Sequence, residues 1–354
     1  MKLVCKVIIP VLLLCVLCSG CSFWMDGSYV SVTPNRSQSA NRTDEIALIA
    51  TYQQVNEVLT EMVEDGIQEG IMHFTSITEE QAVYFMDTAI SNVTHSNPIG
   101  AYAVNEITYD IGTNMGKQAI AFNITYNHNR SEILRIKKAE TMEDVEVLIQ
   151  NALNNCDSGT VLLVKNYRAQ DLIQYVEDYV TEFPQSCMEM PQVSVSYFPE
   201  LGQERVIEIV FTYQTSRDTL RSMHQSVSNV FKSAMYYIDA QAENSEKYSQ
   251  LYSFLMERYD YKLDASITPS YSLLRHGVGD SKAFANVYGA MCRQVGLDCH
   301  TVAGTKDGEP WHWNVIMEDD SVYHLDLLAC NAEGVFELKT AEEMAGYVWN
   351  YSEY

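Results

Sequence analysis

Three short blocks in the last third of the chain hold side chains that could do chemistry. They are Gly277-Val278-Gly279-Asp280-Ser281-Lys282-Ala283-Phe284-Ala285, Trp311-His312-Trp313-Asn314, and Val322-Tyr323-His324-Leu325-Asp326. A serine hydroxyl becomes a nucleophile only when a positioned general base takes its proton, and a third group usually orients that base. Ser281 is the candidate nucleophile, His312 and His324 the candidate bases, and Asp326 the candidate orienting carboxylate. Asp280 precedes a helical pattern through Tyr288, Met291, Cys292 and Val295 that Gly296 stops, so Asp280 reads as an N-cap and Ser281 opens the helix. Cys292 lies far along that helix and reads as a core residue.

In order and spacing the three blocks resemble the transglutaminase-like superfamily. Its members carry Gly-Asp-Cys-x-x-x-Ala at a helix start, then a strand with His-x-Trp-Asn, then Trp-Tyr-x-Val-Asp. The resemblance covers roughly residues 244–330 and implies a papain-like core. A helix N-terminus presents the nucleophile there, and adjacent antiparallel strands present His and Asp. It places Ser281 at the cysteine position and Trp311 at the histidine position, three before Asn314; Asp326 keeps the carboxylate.

The departures decide the expected chemistry. A helix N-terminus and a nearby imidazolium can lower a thiol's pKa into the neutral range. A serine hydroxyl starts too high for that help, and loss of the base histidine from a serine protease costs roughly a millionfold in turnover. The Trp311 indole has a donor but no basic nitrogen. Of the spare bases, His312 is adjacent to Trp311, so on a flat strand the two face opposite sides. His324 shares parity with Asp326 and is the better placed. These points lead us to expect a catalytically degenerate domain that binds extracellular protein or peptide in a cleft suited to extended chain. The alternative is an active serine-type hydrolase or acyltransferase using Ser281.

Flanking patterns supply the elements. Glu246 to Tyr261 reads as an amphipathic helix with Tyr248, Leu251, Tyr252, Leu255 and Tyr259 on one face. Leu297–Gly304, Trp311–Ile316 and Val322–Asp326 read as strands. Thr340-Ala341-Glu342-Glu343 reads as a capping box opening a short helix through Met344 and Val348, with Trp349, Tyr351 and Tyr354 packing back on the domain.

Upstream, the chain repeats itself. Ile124-Thr125-Tyr126 followed by Arg130 and Ile133 matches Phe211-Thr212-Tyr213 followed by Arg217 and Leu220, at a constant offset of 87 residues. Ile107-Thr108-Tyr109 matches Val195-Ser196-Tyr197 at an offset of 88. Residues 44–240 therefore read as two copies of one α/β unit. In the first, a helix is expected from Asp44 through Ile46, Ile49, Tyr52, Val55, Leu59 and Val63. Capping boxes at Thr78 and Thr141 open further helices.

The start of the chain sets an expected address. Lys2 and Lys6 precede an apolar run from Val7 to Cys18, too short to span a bilayer, then Ser19, Gly20 and Cys21. This resembles a bacterial lipoprotein signal, with Cys21 becoming the lipid-bearing (palmitate-type) first residue of the mature chain. The expected location is extracytoplasmic, on the cell membrane through that anchor. Residues 22–43, rich in Ser, Asn and Thr, read as a tether.

With 47 acidic and 23 basic side chains, the 354-residue chain carries a net charge of −24. That opposes nucleic acid and anionic lipid as partners. The five cysteines after Cys21 match no zinc spacing, and no cofactor or metal is expected; Cys156 and Cys187 are a disulfide candidate. The expected fold class is α+β. A signal peptide (1–20) and a lipidated tether (21–43) precede α/β units at 44–140 and 141–240 and a papain/transglutaminase-like domain at 241–354.

Overall fold

The computed structural model describes residues 47–262, 269–318 and 321–350. The signal segment, Cys21, the tether, Tyr351 and Tyr354 lie outside the described residues. In the first segment, local signals set the element boundaries. It runs β1 (Ala47–Ile49), α1 (Tyr52–Glu64), β2 (Glu69–Phe74), α2 (Glu79–His95), α3 (Pro98–Ala103), β3 (Val104–Asn114), β4 (Lys117–Tyr126) and α4 (Arg130–Ile133). Thr51 with Gln54 and Thr78 with Gln81 form reciprocal capping boxes at α1 and α2, satisfying amides that the first turn leaves without partners. Val55, Leu59 and Val63 make the buried stripe of α1. Asn114 pairs with Lys117 across Met115 and Gly116, both at positive φ. That is the primed turn whose twist matches a two-residue hairpin.

The helix expected from Asp44 is shorter. Ala47–Ile49 is a strand, and Thr51 starts the helix at Tyr52. Ile49 falls at helical spacing from the apolar residues of α1, so periodicity alone runs past the cap.

The second segment runs β5 (Lys137–Ala139), α5 (Met142–Asn154), β6 (Gly159–Val164), α6 (Leu172–Glu182), β7 (Gln192–Phe198), β8 (Arg205–Thr212) and α7 (Arg217–Tyr237). Its sheet order, β5-β6-β8-β7, mirrors the first segment's β1-β2-β4-β3. A side-chain detail also recurs. Arg130 Nε donates to the carbonyl of Asp65, the C-cap of α1, at 2.8 Å. Arg217 Nε and Nη2 donate to the carbonyl of Asn155, the C-cap of α5, at 3.2 and 3.1 Å. Both arginines follow the last strand of their sheet and satisfy a carbonyl that a helix end leaves without an internal partner. The segments differ at α3, which lies against β7 and β8 of the second sheet.

The last segment runs α8 (Asn244–Met256), β9 (Asp260–Tyr261), α9 (Pro269–His276), β10 (Val278–Gly279), α10 (Ser281–Gln294), β11 (Cys299–Lys306), β12 (Glu309–Glu318), β13 (Ser321–Leu325), α11 (Leu327–Glu333) and β14 (Tyr347–Trp349). Its antiparallel sheet has the order β13-β12-β11-β14. Helix α10 is buried along most of its length, and Phe284, Val287 and Tyr288 share one core with Leu251 and Leu255 of α8 and Leu220, Val227 and Phe231 of α7.

Three further expectations are corrected. Helix α8 ends at Met256, short of Tyr261, which lies in β9. The helix expected through Val348 is a single 3₁₀ turn at Ala341–Glu343, and Val348 sits in β14, paired with Thr305. Cys156 and Cys187 are separate buried thiols that pack in different core clusters.

Candidate functional site

The site forms where the first turn of α10 meets the sheet. Asp280 caps the helix, its carboxylate accepting from Ala283 N at 2.8 Å. Gly279 precedes it in a crowded position: a Cβ there would stand 3.0 Å from the Ala283 Cβ and 3.1 Å from the Leu273 Cβ. Ser281 is thus held at the first helical position and is 7% exposed.

Asn314 docks strand β12 onto that helix, donating Nδ2–H to the carbonyl of Ala285 at 2.9 Å. An Asp-Gly turn sets the β11–β12 register, with Asp307 and Gly308 at positive φ and Lys306 paired with Glu309. Trp311 therefore lies opposite Gly304, with Lys306 two residues along on the same face.

Asp326 is where these strands converge. It follows the last residue of β13 and caps α11, its Oδ1 accepting from Leu328 N and Ala329 N at 3.0 Å each. Its Oδ2 accepts from Trp311 Nε1 at 2.9 Å, Lys306 Nζ at 3.0 Å and Tyr347 Oη at 2.6 Å. Five donors meet a carboxylate that has about four lone-pair sites. Lys306 Nζ also lies 5.2 Å from the Trp311 ring centre and 5.1 Å from that of Tyr347. Burial, together with the Asp326 carboxylate, pushes the Tyr347 phenol well up, so it stays a donor.

Ser281 has no comparable network. Its Oγ accepts from the backbone N–H of His312 at 3.3 Å. Among the described residues no imidazole nitrogen hydrogen-bonds to it. The His312 ring is half-buried and interacts electrostatically with Lys282 and Asp280, on either side of Ser281. Burial first, then Lys282, lowers its pKa against the opposing pull of Asp280.

This reverses the expected ranking of the two spare bases. His324 pairs with Val315, on the sheet face from which Trp311, Lys306 and Tyr347 reach Asp326, but its ring is taken up by other partners. Its Nδ1 accepts from the indole of Trp313 at 3.0 Å, its ring lies 4.7 Å from that of Trp349, and it is 2% exposed. Parity places the residue on the expected face, but the indoles of Trp313 and Trp349 enclose its ring. Since Nδ1 accepts, the proton of neutral His324 is on Nε2, and burial lowers its pKa.

Two site residues, Lys306 and Tyr347, escape the sequence reading. Lys306 could have been found from the Asp-Gly turn, which fixes its strand register. Tyr347 arrives from β14, and no local pattern ties it to Asp326.

The arrangement holds a carboxylate firmly and offers an indole where a relay to a nucleophile would need a second nitrogen. Trp311 spends its single N–H on Asp326 and has nothing with which to take a proton from Ser281.

Residues 232–350 match the family model of the transglutaminase-like superfamily. No curated protein matches the chain. Among solved structures, the chain is similar to a TGase at 10% identity and a TM-score of 0.27, over 54% of this chain and 58% of that one. It is also similar to a candidate cysteine protease from Cytophaga hutchinsonii at 12% identity and a TM-score of 0.25, over 44% of this chain and 70% of that one. A third likeness, to a candidate protease from Parabacteroides distasonis, has 8% identity and a TM-score of 0.24, over 62% of this chain and 35% of that one. The chain thus spans less than two thirds of the length of the first of these, and the assignment rests on the family match and the three sequence blocks. Residues 232–350, which carry Ser281, Trp311 and Asp326, form a transglutaminase-like domain.

Proposed function

We propose that the chain is an extracytoplasmic, lipid-anchored protein whose transglutaminase-like domain binds protein or peptide and has given up acyl transfer. The observation that carries this reading is the Trp311–Asp326 hydrogen bond at 2.9 Å. It satisfies the orienting carboxylate with a group that cannot relay a proton. Acyl transfer to or from a side chain needs a nucleophile and a proton carrier in contact, and among the described residues the hydrogen bond to the Ser281 hydroxyl comes from the backbone N–H of His312. The membrane attachment rests on the short apolar run before Ser19, Gly20 and Cys21.

One observation favours a second reading, a serine-type hydrolase or acyltransferase. His312 lies beside the residues that flank Ser281, and its lowered pKa leaves it neutral and able to accept a proton near pH 7. Amine incorporation into a glutamine-containing peptide, and hydrolysis of that peptide, separate the two. The binding reading expects no turnover above a Ser281→Ala control; turnover that disappears in Ser281→Ala and in His312→Ala establishes the enzyme.

A further inference from the structure

Strand β3 ends the order β1-β2-β4-β3 and pairs with β4 along one side. Ile124 of β4 donates its N–H to the carbonyl of Gln68 at 2.7 Å, on the β2 side. Asn123 and Ala121 therefore bond towards β3, where they face Thr108 and Asp110. Bonding direction alternates along an antiparallel strand, so the N–H and C=O groups of Ile107, Tyr109 and Ile111 point away from the sheet. Among the described residues no strand meets them there.

Proteins usually guard such an edge with Lys, Pro or a covering element. β7, the matching edge of the second sheet, is seven residues long, lies between Pro191 and Pro199, and has α3 against it. β3 runs eleven residues with no Lys, Arg or Pro.

The two faces beside the edge differ. On one, Glu106, Thr108, Asp110 and Gly112 are exposed, and Glu69, opposite Asn123, lies on the same face. Lys117, at the hairpin end, is the only Lys or Arg in β2, β3 and β4. On the other, Ile107, Tyr109 and Ile111 are buried or half-buried, and the Tyr109 hydroxyl donates to Asp87 of α2 at 2.7 Å. Val83, one turn before Asp87, is exposed. The edge thus asks for a strand that is basic on one face and apolar on the other. A second copy of β3 does not meet that demand. Laid antiparallel about Tyr109, it would set Asp110 opposite Thr108 and bring Glu106 and Asp110 of the two copies into diagonal contact, which like charges oppose.

We propose that β3 takes up an extended basic segment of another protein as a fifth, antiparallel strand. The main chain of that segment bonds to Ile107, Tyr109 and Ile111. Its Lys or Arg side chains meet Glu106 and Asp110, and its apolar side chains lie beside Tyr109 and Val83. The edge is separate from Ser281 and does not depend on the chemistry there.

Fluorescence anisotropy on the purified chain tests this with a labelled heptapeptide that alternates lysine with valine. The comparison peptides are the same one N-methylated at its valines and one with glutamate in place of lysine. The lysine peptide should bind saturably. The other two should each be weaker by about tenfold or more, one having lost main-chain donors and the other its charge-assisted contacts. Glu106→Gln with Asp110→Asn, at two exposed positions, should weaken the lysine peptide by about tenfold or more. Hydrogen exchange read by NMR should slow at the amides of Ile107, Tyr109 and Ile111 when that peptide binds. Equal binding of the N-methylated peptide would mean that charge alone holds it and would overturn strand addition. Equal binding of the glutamate peptide, or an unchanged affinity in the double variant, would overturn the basic partner. No binding of the lysine peptide would overturn the site, and a dimer of the free chain that already protects those three amides would make the occupant a second copy instead.

Discussion

The indole nitrogen of Trp311 stands 2.9 Å from Oδ2 of Asp326, making the bond to the carboxylate that a histidine would make and leaving nothing on its far side to receive a proton. An indole can orient the carboxylate but has no second nitrogen with which to relay a proton. Lys306 and Tyr347 complete the cage around the same oxygen.

Trp311→Phe keeps the ring and deletes the donor. Hydrogen bonds to charged groups contribute about 1.5–3 kcal/mol, and Lys306 and Tyr347 remain to hold Asp326. Urea unfolding should show a loss near the lower end of that range. Lys306→Met removes the only cation bonded to a buried carboxylate among the described residues and should cost at least as much. Unchanged midpoints for both variants would mean that the cage contributes nothing to stability.

His324 gives a pH signature. Burial holds its folded pKa below the ordinary value of 6.5, so in the window between the two the unfolded chain binds more protons. Stability therefore falls as pH drops from 6.5 towards the folded value and is insensitive to this residue above 6.5. His324→Asn should flatten that slope relative to wild type. Equal slopes between pH 7 and pH 5 would show that His324 does not titrate differently on folding.

Asp280→Ala removes the side-chain cap of α10. Losing such a cap costs about 1 kcal/mol, read as a lower urea midpoint at constant m. Asp280→Asn, which can still accept from Ala283 N, should recover most of the loss.

Cys21→Ser tests the proposed anchor. Fractionation of the wild type should place it with the membrane, and the variant should move to the soluble fraction. A variant that stays in the membrane with its apolar segment uncleaved would point to a different attachment.

Much of this architecture is legible in the sequence because its signals are local. Asp280 next to an apolar-periodic run places the start of α10, and Asp307-Gly308 places the β11–β12 turn. The 87-residue offset between Arg130 and Arg217 shows in the structure as two arginines binding equivalent helix C-caps. Non-local features are not legible. The surroundings of Asp326 come from β11, β12 and β14, and only the folded sheet puts Lys306 and Tyr347 beside it. His324 lies on the expected face, but the Trp313 and Trp349 rings that enclose it come from two other strands and no local pattern shows them. The helix at Tyr52 is overextended because Ile49 continues its period while the Thr51 cap interrupts it. Tyr126, one of the residues of the repeat, donates its hydroxyl to the carbonyl of Ile67 at 2.7 Å, a partner 59 residues away that no local pattern shows.

Labelling by a serine-directed fluorophosphonate, read by intact-mass spectrometry and peptide mapping at pH 7 to 8, tests the central claim most directly. It asks only whether the Ser281 hydroxyl is activated and needs no knowledge of a substrate. Among the described residues no base is bonded to the Ser281 hydroxyl, and Trp311 occupies Asp326, so the account predicts no adduct at Ser281 under conditions that label a serine hydrolase fully. An adduct at Ser281 that is absent from Ser281→Ala would contradict it and would make His312 the proton acceptor to examine.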